Sequence, residues 1–243
     1  MTVSSGRLVC NAVSKGYGEE FCLGPLSMEI TGGVTCLVGP NGAGKSTFFR
    51  LAAGVEKPSS GTITLESGEC NSSLGYLPQE PQLPAAATCE EFLHYVAWLQ
   101  GVPARRRPES VTSALARTGL DDKRTSRIRS LSGGMARRLG IAHALVHNPS
   151  LLLLDEPTVG LDPRQRVALR GTIADLSEGR VVIVSTHLVE DVRGLANRVI
   201  VLGEGSVVFD GTVAELEKKA DPSAPGDSDL ERSIATLMED GAA

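Results

Sequence analysis

The stretch "GPNGAGKST", residues 39–47, constrains the fold of this chain more than any other. It follows the apolar run "VTCLV" (34–38) and leads into "FFRLAAG", a helix-compatible segment. Gly39, Gly44, Lys45 and Ser46 match G-x-x-x-x-G-K-[ST] in the strand-loop-helix setting where that pattern cradles phosphate. Glycines let backbone N–H groups turn inward around phosphate oxygens, and the following helix presents its positive N-terminal end. Lys45 supplies a point charge for the outer phosphates, and Ser46 is positioned to ligate Mg²⁺. Pro40, Asn41, Gly42, Ala43 and Thr47 complete the expected phosphate cradle. A glycine-rich turn with an incidental lysine is the competing reading, and the flanking strand and helix disfavour it.

The second half of such a site is expected at "LLLLDEP", where a buried strand ends in Asp155 and Glu156. Open α/β sheets bind ligands at the carboxyl ends of their strands, and adjacent acids there alternate in direction. Asp155 suits the Mg²⁺ shell, and Glu156 suits polarising an attacking water. "LLLL" (151–154), "VVIVS" (181–185) and "RVIVL" (198–202) are, like 34–38, continuously apolar, as strands covered on both faces are. The expectation is an α/β fold with a mainly parallel sheet. "RLVCNAV" and "SVVFD" (206–210) read as further strands towards an antiparallel edge.

Between "LGYLPQE" and "LLLLDEP" strand signals vanish for about seventy residues and helical ones replace them. Thr88 with Glu91 forms a candidate capping box before "FLHYVAWLQG", a second helix begins behind Pro108 and stops at Gly119, and a third runs from Ser132 to Pro149. A helical subdomain over about residues 80–150 is therefore expected inside one unit spanning 1–219. Residues 220–243 read as a flexible linker, "DPSAPGDSD", and a short terminal helix, "LERSIATLMED".

Composition narrows the functional classes. With 24 basic against 29 acidic residues the formal charge is −5, so there is no electrostatic case for broad nucleic-acid binding, and Arg105-Arg106-Arg107 reads as solvated surface. No run approaches the roughly 20 apolar residues that span a bilayer, and the first residues lack a signal peptide's pattern, so a cytoplasmic chain is expected. The five cysteines (10, 22, 36, 70 and 89) have no C-x-x-C pair, which favours reduced, mostly buried thiols. His143 and His147 share an i, i+4 spacing, but without further ligands nearby they read as helix surface rather than a zinc site.

Over roughly residues 7–215 the chain resembles the nucleotide-binding domains of ATP-binding cassette (ABC) transporters. The decisive stretch is "LSGGM" (131–135), similar to the family signature LSGGQ and lying between the phosphate loop and "LLLLDEP". Tyr17 in "KGYG", Gln79 in "YLPQE", "GLDP" (160–163) and His187 in "VSTH" occur in the family's order. The resemblance implies a P-loop NTPase core in the ABC ATPase fold. It implies that Tyr17 stacks on adenine, that Gln79 reaches Mg²⁺ or the attacking water, and that His187 contacts the γ-phosphate. Ser132, Gly133 and Gly134 would close on the nucleotide of an opposite subunit, and Asp162 would lie across that interface. Met135 departs from the family's glutamine, removing a polar contact while leaving the serine and glycines intact.

The implied protein is a Mg²⁺-dependent ATPase that dimerises on ATP, as a homodimer or with a different cassette. It would work with a separate transmembrane permease at the inner face of the cell membrane. The signature run and short tail look most like detached subunits of drug, antibiotic and lipid exporters, with an importer subunit as the alternative. A soluble ABC ATPase of translation or DNA repair is a further reading, although such proteins usually join two cassettes or carry large inserts. An inactive regulatory cassette fits poorly with a complete set of site residues.

Overall fold

In the computed structural model, which describes residues 6–18, 21–66 and 73–240, the four apolar runs form the middle of one sheet. These strands are β3 (Gly33–Val38), β6 (Leu151–Asp155), β7 (Val181–Ser185) and β8 (Arg198–Gly203). With β5 (Leu74–Leu77) and β9 (Ser206–Gly211) they give the order β5-β6-β7-β3-β8-β9, parallel except for the β8–β9 pair. The expected α/β class and antiparallel edge are both present.

Alternate residues of each strand enter different cores, as a two-residue repeat requires. Leu152, Leu154, Val182, Val184, Val199 and Val201 pack on one face against α5 (Pro163–Leu176), α6 (Val189–Leu195) and α8 (Asp229–Asp240). Leu151, Leu153, Val181, Ile183 and Ile200 face the other way, against Phe48 and Phe49 of α1 (Lys45–Ala52). The same core takes Leu8, Val13, Leu23 and Ile30 from an antiparallel sheet of β1 (Arg7–Tyr17), β2 (Phe21–Ile30) and β4 (Ser60–Glu66), ordered β2-β1-β4. Replacing fully buried Leu153 with alanine is expected to cost about 2–5 kcal/mol, the usual penalty for a cavity beneath a central strand. A fall in the urea midpoint at constant slope would register it; an unchanged midpoint would show that the two cores close over the gap.

The segment without strands forms a helical unit with its own core. Here α2 (Cys89–Leu99), α3 (Arg107–Arg117) and α4 (Gly133–Leu145) bury Leu93, Val96, Val111, Leu115 and Leu139 together. The capping box is formed: Thr88 Oγ1 accepts the Glu91 N–H at 3.2 Å, and Glu91 Oε2 accepts the Thr88 N–H at 2.8 Å. Helix α4 is shorter than expected. It stops at Leu145 because Asn148 adopts φ 53° and returns its N–H to the Leu145 carbonyl at 2.7 Å, one residue before Pro149.

The packing of their rings also corrects the surface reading of the two histidines. His143 is stacked on Phe92 with centroids 5.5 Å apart, while His147 lies beyond the helix and contacts the Leu74 carbonyl through Nε2 at 3.0 Å. Burial lowers the pKa of both. No cluster of three or more His, Cys, Asp or Glu side chains among the described residues could hold a metal ion.

Three cysteines, Cys10, Cys36 and Cys89, are buried; burial pushes the Cys10 thiol up to about 12. Cys22 is exposed, and Cys70 lies outside the described residues. After α7 (Val213–Glu217) the connection 220–228 runs through turns, one pinned by Asp221 accepting the Ser223 N–H at 2.8 Å. Helix α8 then buries Leu230 and Ile234 in the main core, so this helix packs on the cassette rather than standing apart from it. No helix among the described residues is long and apolar enough to cross a membrane.

Candidate functional site

The parallel strands β3, β6 and β7 are neighbours in register, so their carboxyl ends deliver residues 39–46, 155–156 and 185–187 to one edge of the sheet. The loop after β3 turns on glycines at the positions where the backbone demands them. Gly42 has φ 88° with open space where a side chain would begin, and Gly44, at φ 101°, caps α1 without a side-chain hydrogen bond. The first N–H groups of α1 are thereby left for an anion. A methyl on Gly44 would stand 2.6 Å from Leu23 Cδ1 and force a left-handed backbone on a residue with a Cβ. Gly44→Ala is therefore expected to lower stability by about 1–2 kcal/mol and to weaken nucleotide binding. Thermal melting and ATP titration of the same sample would test this, and a variant unchanged in both would contradict it.

Lys45 Nζ is held inside the loop by the carbonyls of Gly39 and Pro40, at 2.8 and 2.9 Å. Burial lowers its pKa, while Glu156 and Asp155 act in the opposite direction. Ala43 is buried under the loop, whereas Gly39, Pro40, Asn41, Gly42, Gly44, Lys45, Ser46 and Thr47 line an open cleft of about 880 Å³. Tyr17, Phe21, Arg50, Gln79, Glu156 and His187 line the same cleft.

Asp155 lies beneath this surface, only 3% exposed, where its carboxylate accepts hydrogen bonds from the hydroxyls of Ser185 and Ser46. Burial pushes its pKa up; the Ser185 bond pulls it down. Ser46, Asp155 and Gln79 bring only oxygen ligands, which suit a hard divalent ion such as Mg²⁺ completed by phosphate and water.

Glu156 has an unusual left-handed backbone, φ 46°, and its N–H donates to Ser185 Oγ at 2.8 Å. Its two carboxylate oxygens are both engaged: Gln79 Nε2 donates to Oε2 at 3.2 Å, and His187 Nδ1 lies 3.3 Å from Oε1. Two apparently separate sequence motifs thus meet on one carboxylate.

Arg137, in the second turn of α4, is the residue most clearly missed by sequence reasoning. It is 8% exposed and donates to the carbonyls of Gln79, Asp155, Glu156 and Pro157. Its guanidinium therefore fixes the backbone of both acids and of the glutamine loop, and burial lowers its pKa. The sequence did carry a signal: with Gly134, Ile141 and Ala144, Arg137 falls on the buried stripe of its helix.

Tyr17, at the rim, donates its hydroxyl to Glu56, which also pairs with Arg50 at 3.1 Å and Lys15 at 3.5 Å. The ring is 38% exposed and has Lys15 Nζ 5.4 Å from its centroid. Burial raises its pKa, and the Glu56 bond adds to that.

The signature residues stand elsewhere. Ser132 caps α4 by accepting the Met135 N–H at 3.3 Å; it and Gly133 are exposed and outside the cleft. Asp162 caps α5 by accepting the Gln165 N–H at 2.9 Å, and the Gln165 side chain covers Gly134. Signature and Asp162 therefore form one exposed surface, distinct from the cleft of their own chain.

A family profile described as ABC transporter matches residues 23–159. An uncharacterized ABC transporter ATP-binding protein, YxlF, of Bacillus subtilis (strain 168) is 37% identical over 215 residues, covering 87% of this chain and 73% of that protein. The linearmycin resistance ATP-binding protein LnrL of the same organism is 31% identical, covering 93% and 75%. Nod factor export ATP-binding protein I of Rhizobium sp. (strain N33) is 35% identical, covering 82% and 69%. Among solved structures, cbiO1 from Clostridium perfringens, part of the ABC transporter complex cbiONQ, aligns with a TM-score of 0.77 at 29% identity, covering 87% of this chain and 90% of that one.

Proposed function

The chain belongs to the ABC transporter ATP-binding family, and from that premise we propose that it is a Mg²⁺-dependent ATPase which pairs with a second cassette to drive a transmembrane exporter. The observation that carries this reading is the convergence of Lys45, Asp155, Glu156, Gln79 and His187 on one sheet edge, while Ser132–Gly134 do not line that cleft. A chain with half of an anion site on each of two surfaces completes both sites by head-to-tail pairing with another cassette.

In this mechanism the loop N–H groups and Lys45 hold the outer phosphates, and Tyr17 offers its ring to the base at the rim. Ser46, Asp155 and Gln79 would hold Mg²⁺, which neutralises phosphate charge in the transition state. Glu156 orients and deprotonates the attacking water, with Gln79 and His187 positioning its carboxylate. The partner's signature helix N-terminus supplies the donors that complete the phosphate shell. ATP then binds the paired form better than the open one, and hydrolysis reverses that preference.

The open groove lined by Leu83, Pro84, Ala87, Phe92 and Tyr95, with Gln82 and Glu91 as its polar members, begins three residues beyond Gln79 and has a volume of about 540 Å³. Its apolar lining suits a permease segment, and its position lets that contact sense the glutamine loop. Export is favoured by the functions named for two relatives, linearmycin resistance and Nod factor export. The test is to tag the protein in its native cell, solubilise membranes in mild detergent and identify stoichiometric partners by mass spectrometry. A polytopic membrane protein that raises Mg²⁺-ATP turnover supports the proposal; ribosomal or DNA-bound partners overturn it.

A further inference from the structure

One surface enters this mechanism only through Tyr95. At the end of α2, Tyr95, Trp98 and Leu99 are 56%, 55% and 57% exposed, and the two aromatic rings lie 5.9 Å apart. Large apolar side chains are seldom left together in water without a partner. The chain then folds back tightly, the N–H groups of Gly101 and Val102 returning to the carbonyls of Trp98 and Ala97. Arg105-Arg106-Arg107 begins seven residues after Trp98, just beyond this fold-back.

Arg107 is half-buried and donates Nε to the Val102 carbonyl at 2.8 Å, which anchors the triplet. Arg105 and Arg106 are exposed, and none of the ion pairs among the described residues involves either. The helical unit, residues 80–150, carries ten basic against six acidic side chains, Glu90 and Glu91 lying on the same helix as the two rings, in a chain whose net charge is −5. The cationic excess is therefore local and opposes the overall balance.

Amphipathic Trp and Tyr rings followed in the chain by unpaired arginines have the chemistry of a surface that meets a bilayer at headgroup level. We propose that this tip of the helical unit contacts anionic lipid headgroups, Trp98 and Tyr95 entering the interface while Arg105 and Arg106 meet lipid phosphates. Charge complementarity selects a lipid surface over a purely apolar protein groove. Tyr95 also lines the neighbouring groove, so one face would meet both permease and bilayer; only that shared orientation rests on the permease reading.

Trp98 is the chain's single tryptophan, so its emission reports on this site alone. The full-length protein would be mixed with vesicles of pure phosphatidylcholine and with vesicles containing a large minority of phosphatidylglycerol, and ATP binding measured on the same sample. The expected result is a blue shift and co-flotation with the anionic vesicles only, reversed by high salt. Each basic residue near such a surface contributes on the order of fivefold in partitioning, so Arg105→Ala/Arg106→Ala should bind on the order of thirtyfold more weakly. Retained ATP binding and circular dichroism would show that the double variant is folded.

No shift with anionic vesicles, equal binding to neutral ones, or undiminished binding by the double variant overturns the inference. So does a shift seen only when a permease is present, which would assign the tip to a protein contact. A chain that binds ATP but not vesicles fails the lipid inference alone, whereas one that binds vesicles but not ATP fails the nucleotide reading alone.

Discussion

Glu156→Gln should retain ATP binding, lose turnover by about 10²–10⁴-fold and accumulate as an ATP-bound dimer. The substitution preserves the volume of a side chain that is 9% exposed and removes only its capacity to take a proton. Glutamine can still face Gln79 and His187, which contact the two carboxylate oxygens at 3.2 and 3.3 Å. In the proposed mechanism phosphate binding depends on other groups, chiefly the loop N–H groups and Lys45. Single-turnover kinetics and size-exclusion chromatography with ATP would separate chemistry from binding. Turnover within a few-fold of the parent would remove Glu156 from the role of base, and loss of ATP binding would show that its charge serves binding instead.

Arg137→Met should cost about 3–5 kcal/mol, the range for removing one charged member of a buried polar network. In a chain of 243 residues this corresponds to a fall in melting temperature on the order of 10 °C. Methionine fills much of the space but leaves the carbonyls of Gln79, Asp155, Glu156 and Pro157 without their common donor. Turnover should fall even where the variant is folded, because the backbone that aims Glu156 and Gln79 is no longer clamped. Arg137→Lys should rescue poorly, since one ammonium cannot span four acceptors as a planar guanidinium does. A methionine variant melting within a degree or two of the parent would mean that these loops hold their positions without the arginine.

The core strands are legible in the sequence because they are covered on both faces, and nothing but an apolar run satisfies that environment. Strand β2 is hidden by the Gly24-Pro25 pair, which reads as a turn; β4 is hidden because most of it lies exposed in a small outer sheet. The phosphate loop and the acids after β6 are visible because their chemistry depends on residue type at fixed spacing. Arg137 and Ser185 act by binding backbone and carboxylate groups brought in from distant segments; the helical stripe marks Arg137 as buried, but no local pattern announces the partners of either residue. The spatial separation of the signature from the cleft likewise emerges only when α4 is seen to run from an exposed Ser132 to a buried Arg137.

Helix α8 has a consequence for where the working unit ends. Ile234, Ala235 and Met238 share a small cavity with Gly39, Pro40 and His187, so this helix forms a wall behind the nucleotide loop. Removing the chain after residue 219 would strip that wall away and open the Leu230 and Ile234 sites to water. Changes in the helix are therefore expected to alter nucleotide affinity through that shared cavity. Divergence in this helix becomes a means of tuning a cassette while the residues of the 39–47 loop remain untouched.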